Sequence, residues 1–193
     1  MGLGRARHLR LAARPIVALA LLSLVLACGG GGGGSPSEPP PPAPTPAPGP
    51  GISFIASSLG PGIVLAQGAA TTATSLTLEV RAASVTGLYG LAFDLDYPSA
   101  ALRFQSASTG PFLGSGGQVS MQVLETTSGH LVVGVTRLGA LPGVDGSGVV
   151  MQLVFTPVAS GSGPIAFSRN QAYKSAGGLL DVPWSAGTVA VVQ

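Results

Sequence analysis

Asp94 and Asp96 are the pair whose type and spacing most directly suggest chemistry. They stand two apart in Leu91-Ala92-Phe93-Asp94-Leu95-Asp96-Tyr97, so in an extended segment they share one face, about 6.6 Å apart along the backbone. Carboxylates at that separation suit calcium, or the acid–base pair that cleaves a glycosidic bond. Calcium asks for about six oxygens or more, and the sequence offers only Ser84, Thr86 and backbone carbonyls as helpers. Alternation turns both carboxylates away from Leu91, Phe93, Leu95 and Tyr97. The pair therefore reads as a solvated outer face, open to a partner, whose replacement by Asn would barely change folding.

His130 is the one histidine beyond the N-terminal region, in a Ser128-Gly129-His130 turn before an alternating segment. A nucleophile, a base and an orienting group must be gathered by the fold for a triad to work, and nothing in the spacing points to one. His130 reads as an exposed turn residue. No glycine-rich segment precedes a helix, so the glycines make no phosphate cradle. Tyr89, Tyr173 and Trp184 lie outside the clearest core positions and together could form a stacking platform for polysaccharide. Against that platform, Tyr89 shares parity with Leu91, and Trp184 after Pro183 could cap one end of the fold. No enzyme and no cofactor are expected, with calcium at Asp94 and Asp96 as the alternative.

The elements that must position these residues are strands. Between Gly51 and Gln193, apolar residues alternate with polar ones, turn signals recur, and no stretch has a convincing helical period. The predicted strands are Ile52–Ala56, Ile63–Gln67, Ser75–Ala82, Tyr89–Tyr97, Leu102–Ser106, Gln118–Glu125, Leu131–Thr136, Gly148–Pro157, Pro164–Ser168 and Thr188–Val192. Val149, Met151, Leu153 and Phe155 fall on one side of the eighth, with apolar Val150 and Val154 among the residues opposite, as in a central strand. Asp145-Gly146-Ser147-Gly148 reads as a turn. Short strands at this spacing favour an all-β sandwich.

Composition agrees. Only 8% of the 193 residues are charged, and 30 glycines with 17 prolines disfavour long helices. A single cysteine excludes an internal disulfide framework. The net charge of +2 comes from Arg5, Arg7, Arg10 and Arg14. Beyond them, Arg81, Arg103, Arg137, Arg169 and Lys174 stand against seven acids, and no basic cluster is left to displace counterions from nucleic acid.

Residues 1–27 carry a basic start, an apolar run from Ile16 to Leu26 and a small residue before Cys28, the pattern of a signal peptide. Val25-Leu26-Ala27-Cys28 resembles the lipobox of bacterial lipoproteins, which implies lipidation of Cys28 and a membrane attachment through acyl chains. Gly29 follows the cysteine in place of the aspartate that resembles an inner-membrane retention signal, which favours the outer membrane or cell surface. Residues 28–50 read as a linker, Gly29 to Gly34 followed by a proline-rich run that favours an extended polyproline conformation. Residues 51–193 form the domain.

Within that domain, Val85-Thr86-Gly87-Leu88-Tyr89-Gly90-Leu91-Ala92-Phe93-Asp94-Leu95-Asp96-Tyr97-Pro98, with Leu102 and Phe104 after it, resembles the opening half of a cohesin domain. Gly129, Leu131 and Val133 are similar to that family's Gly-x-Leu-x-Val strand. Gly146 and Gly148, with Leu153, Phe155, Pro157 and Val158, are similar to its Gly-x-Gly and Leu-x-Phe-x-Val segment. Tyr97 meets Pro98 directly, where the family usually has an aspartate between them. The resemblance spans about Leu76 to Val192. It implies a jelly-roll sandwich of about nine strands, related to carbohydrate-binding modules, that binds a dockerin or another envelope protein. The expected function is a non-catalytic, lipid-anchored recognition module linked to polysaccharide degradation. The alternatives are a carbohydrate-binding module or a structural envelope lipoprotein, and Tyr89, Asp94, Asp96, Tyr173 and Trp184 are its candidate binding residues.

Overall fold

The computed structural model describes residues 51–193. The expected signal peptide, lipidated Cys28 and linker lie outside the described residues.

The ten predicted strands are all present, joined by two short ones and one helical turn. In order they are β1 (Gly51–Ala56), β2 (Gly62–Gln67), β3 (Leu76–Leu88), β4 (Gly90–Asp96), β5 (Leu102–Thr109), α1 (Pro111–Gly114), β6 (Val119–Thr127), β7 (His130–Arg137), β8 (Val144–Pro157), β9 (Gly161–Tyr173), β10 (Leu179–Leu180), β11 (Trp184–Ser185) and β12 (Gly187–Val192). One sheet runs β1-β12-β9-β4-β7-β6, with β10 also paired to β9; the other runs β11-β2-β3-β8-β5. Every pairing is antiparallel except β11 on β2.

Alternation builds the core between the sheets. Leu91, Phe93, Leu95 and Tyr97 of the β4 segment point inward, as predicted, and meet Leu76, Leu78 and Val80 of β3 and Met151, Leu153 and Phe155 of β8. Tyr97 and Phe104 set their rings against Phe155 at centroid distances of 5.0 and 5.8 Å. At the other end Phe93, Phe167 and Trp184 form a second ring cluster, with 5.1 Å between Phe93 and Phe167. Edge-to-face contacts of this kind add roughly 0.5–1.5 kcal/mol each to the burial itself.

The strands differ from expectation where bulges intervene. β3 and β8 stay paired through Val85↔Gly146 and Leu88↔Val144, so Asp145-Gly146-Ser147-Gly148 lies in a strand and not in a turn. Its glycines and serine look like a turn by composition. Their backbone stays in the ladder because the irregularity is shared by both strands: Gly146 takes φ 107°, and across the pair Ser84 takes φ 51° while its N–H donates to Ser147 Oγ. A second register shift pairs Val80 with Met151 but Arg81 with Val149. Val150 is thereby the buried residue and Val149 only half-buried, the reverse of the predicted parity. One extra residue in a strand flips every side chain beyond it to the other face.

Arg137, at the end of β7, is buried with no carboxylate beside it. Its guanidinium donates to the carbonyls of Leu113 and Ser115 and thereby ties α1 to the sheet edge.

Candidate functional site

The outer face of β9, β4, β7 and β6 gathers most of the predicted site residues. Register sets them in rows. Ser120, Thr136, Gly90 and Tyr173 lie across one end, followed by Gln122, Gly134, Ala92 and Gln171, then by Leu124, Val132 and Asp94 with Ser168. His130, Asp96 and Ala166 form the last row. Successive strands are antiparallel, so Asp96 and His130 lie at the end where the chain enters at Gly51, and Gly90, Thr136 and Tyr173 lie at the opposite end.

The first two rows make a groove of about 420 Å³, lined by Gly90, Ala92, Gln122, Gly134, Thr136 and Tyr173. Its floor is low because Gly134 carries no side chain, and a Cβ built there would meet nothing within 4 Å. Beside the groove, Leu124 and Val132 face each other across β6 and β7 and remain 62% and 38% exposed. Apolar side chains on the outward parity of a strand, next to a bare floor, are what a sheet offers to a partner surface.

Asp94 corrects the expected solvated pair. Its side chain is only 7% exposed, while that of Asp96 is 52% exposed. Two groups cover Asp94. Arg169 donates to its Oδ2 through both Nε and Nη2, and Nε2 of His130 lies 3.4 Å from the same oxygen. Arg169 reaches it because β9 bulges: Ala92 pairs with Gln171 and Asp94 with Ser168, which leaves Arg169 and Asn170 opposite Phe93. Arg169 adopts φ 46°, a left-handed conformation that is uncommon without glycine and that recurs at functional sites. No pattern in the sequence announces this bulge, which is why Arg169 escaped the sequence reading.

His130 is half-buried between the two carboxylates, and not an exposed turn residue. Its Nδ1 is 2.6 Å from Asp96 Oδ1, and the Ser168 hydroxyl donates to Asp96 Oδ2 at 3.1 Å. That hydrogen bond from His130 is the main force holding the Asp96 carboxyl below its ordinary value; slight burial opposes it, and Ser168 adds to it. The Asp96 contribution to stability is therefore present above the ordinary carboxylate range and is lost as pH falls through the lowered value. The order along the cluster is serine, carboxylate, imidazole. A general base must sit between the nucleophile and the orienting acid, so this cluster does not activate Ser168.

The carboxylates also have partners already. A calcium ion would have to displace Arg169 and His130, and no group of three or more His, Cys, Asp or Glu among the described residues is placed to hold a metal ion. Replacement of Asp94 by Asn is expected to cost roughly 1–2 kcal/mol, since it turns a buried charge-assisted hydrogen bond from Arg169 into one to a neutral amide. Asp96→Asn should cost little at neutral pH. Denaturant melts of both variants test this, and equal losses would mean that Asp94 is as solvated as Asp96.

The three aromatic candidates do not share a platform. Tyr173 walls the groove, and its hydroxyl bonds to Gln171. Tyr89 sits at the β3–β4 corner, where its hydroxyl donates to the Gly139 carbonyl at 2.5 Å. Trp184 belongs to the other sheet and packs against Phe93 and Phe167.

No protein-family model matches the sequence, nor does any curated protein. Solved structures do match in shape. The sixth cohesin of scaffoldin B from Acetivibrio cellulolyticus, solved in complex with a dockerin, aligns over 73% of this chain and 97% of its own with 16% identity and a TM-score of 0.51. A type II cohesin domain from the cellulosome of the same organism aligns over 75% and 95% at 14% identity, with a TM-score of 0.51. Type II cohesin A11 from Bacteroides cellulosolvens aligns over 68% and 90% at 11% identity, with a TM-score of 0.50. The likeness is one of fold, and by it residues 51–193 are a cohesin-like β-sandwich domain of two sheets.

Proposed function

We propose that this chain is a non-catalytic recognition module, anchored to the cell envelope through lipid on Cys28, that binds a dockerin-like protein on the outer face of β9, β4, β7 and β6. The observation that carries the reading is the composition of that face. Exposed Leu124 and Val132 lie between a bare-floored groove and a charged cluster whose side chains are already held in place. A face of this kind supplies an apolar centre and a polar rim without the ordering cost of free side chains. Arg169 stays 75% exposed while two of its donors hold Asp94, so its remaining N–H groups point to solvent and suit a carbonyl or carboxylate of a partner. Cohesin neighbours solved with dockerins support the choice of partner class. The groove lies at the end of the sheet remote from Gly51. Such a module would hold a dockerin-bearing protein, for example a polysaccharide-degrading enzyme, at the outer membrane or cell surface.

Calorimetric titration of the full chain with dockerin-bearing proteins of the same organism tests this. Binding is expected, with Leu124→Asp weakening it by at least about tenfold, or 1.4 kcal/mol, as for an apolar contact near the centre of an interface. No binding to any of them, or binding that Leu124→Asp and Val132→Asp leave intact, would sink the proposal.

A further inference from the structure

β9 has a gap along one edge. β12 pairs with it as far as Ile165, and β10 takes up the pairing only at Ala172, so residues 166–171 have β4 on one side and no strand on the other among the described residues. The gap exists because the chain leaves this sheet after Leu180 to set Trp184 beside Ile63 of β2 in the opposite sheet. Ile63 N–H donates to the Pro183 carbonyl at 2.9 Å, and a Cβ on Gly62, at φ 119°, would come within 2.2 Å of that same carbonyl oxygen. Glycine at this position therefore lets the Trp184 segment close onto β2, and the indole is pinned at the mouth of the gap.

Two adjoining depressions open there, of about 590 and 410 Å³, and Asn170, Val182 and Trp184 line both. Ser57, Phe167 and Thr188 complete one lobe; Gln171 and Asp181 contribute to the other. Each lobe is in the size range of small-molecule sites, roughly 300–1,000 Å³. The Trp184 indole is half-buried, its ring fixed against Phe167 at 5.1 Å and Phe93 at 5.6 Å. Asn170 and Asp181 line the cleft, and the Asn170 carboxamide and the Asp181 carboxylate make no side-chain hydrogen bond to any described residue and are not among its buried orphaned atoms, so both keep their bonding capacity free for a ligand. Asn170 lies in the same bulge as Arg169 and lines both lobes.

The chemistry of this lining is selective. No lysine or arginine contributes, and one carboxylate does, which disfavours phosphate and other anions. A carboxamide and a carboxylate can each engage neighbouring hydroxyls in paired hydrogen bonds, while an indole accepts the apolar C–H face of a ring. We propose that the cleft around Trp184, Asn170 and Asp181 binds a neutral sugar unit of a glycan. This site is distinct from the outer face of β9, β4, β7 and β6, and it restores to Trp184 a sugar-binding role without the flat three-ring platform. The module would then hold a protein on one surface and touch polysaccharide at another.

Trp184 is the single tryptophan in the chain, so its emission reports this cleft alone. The test is a fluorescence titration of the full chain in detergent with cellobiose, maltose and N,N′-diacetylchitobiose, with tetramethylammonium as the cationic competitor. At least one disaccharide is expected to change the emission saturably, with half-saturation on the order of millimolar. Asn170→Ala and Asp181→Ala, which leave the Phe93–Phe167–Trp184 cluster intact, should each raise that value at least about tenfold, with thermal melting unchanged. Leu124→Asp should not alter it, so this site and the protein-binding face fail or stand separately. Absence of a saturable change with all three sugars overturns the proposal. So does a response to tetramethylammonium alone, or sugar binding that survives both cleft variants.

Discussion

Phe155→Ala is expected to destabilise the domain by roughly 3–5 kcal/mol, the range for removing a buried aromatic ring and leaving a cavity. Phe155 is 0% exposed and sits in β8, a central strand with β3 on one side and β5 on the other. Its partners cannot collapse into the void cheaply. Leu76 and Phe104 are its register neighbours, held by two ladders, and Tyr97 and Phe104 present their ring edges to it. Tyr97 is itself restrained by its hydroxyl, which donates to Glu125, and by its N–H, which donates to the Gly129 carbonyl at 2.9 Å. Denaturant unfolding followed by Trp184 emission measures the loss, and an unchanged slope assigns it to stability alone. A difference below about 1 kcal/mol would mean that the interior around Phe155 relaxes freely, and that the packing just described does not carry the fold.

The second large effect concerns location. Cys28→Ala is expected to turn a membrane-bound protein into a soluble or unprocessed one. The apolar run from Ile16 to Leu26 would span about 16–17 Å as a helix, well short of a hydrocarbon core of about 30 Å. Acyl chains on Cys28 would supply the anchor at about 0.8 kcal/mol per buried CH₂. Detergent-phase partitioning with a check of processing decides between the two. A variant that loses its leader and still enters the detergent phase would show that attachment does not depend on Cys28.

The two effects are separable in one preparation. Phe155→Ala acts on the folded domain and should leave partitioning unchanged, whereas Cys28→Ala should leave the unfolding transition of residues 51–193 where it was.

Sequence by itself determined the sandwich and its strands. Strict alternation in Leu91-Ala92-Phe93-Asp94-Leu95-Asp96-Tyr97 allows one choice of inward face, because reversing it would bury two carboxylates in place of four apolar side chains. The same logic placed Met151, Leu153 and Phe155 in the core, and all three are fully buried. Tertiary structure decided what alternation cannot express. A bulge changes parity without leaving a mark in composition, so Val149 and Val150 exchanged faces and Asp145-Gly146-Ser147-Gly148 stayed in a strand. The bulge at Arg169 had the larger consequence for the candidate sites. It carried a guanidinium from β9 over Asp94 of β4, residues 75 apart in the chain, and covered and ion-paired what reads locally as a solvated carboxylate, while the guanidinium itself stays exposed. The pairing of Trp184 with β2 is equally remote, since it follows from how the chain returns between sheets. Local pattern specifies which way a side chain points, but which strand, bulge or return segment it then meets depends on pairings that only the closed sandwich brings together.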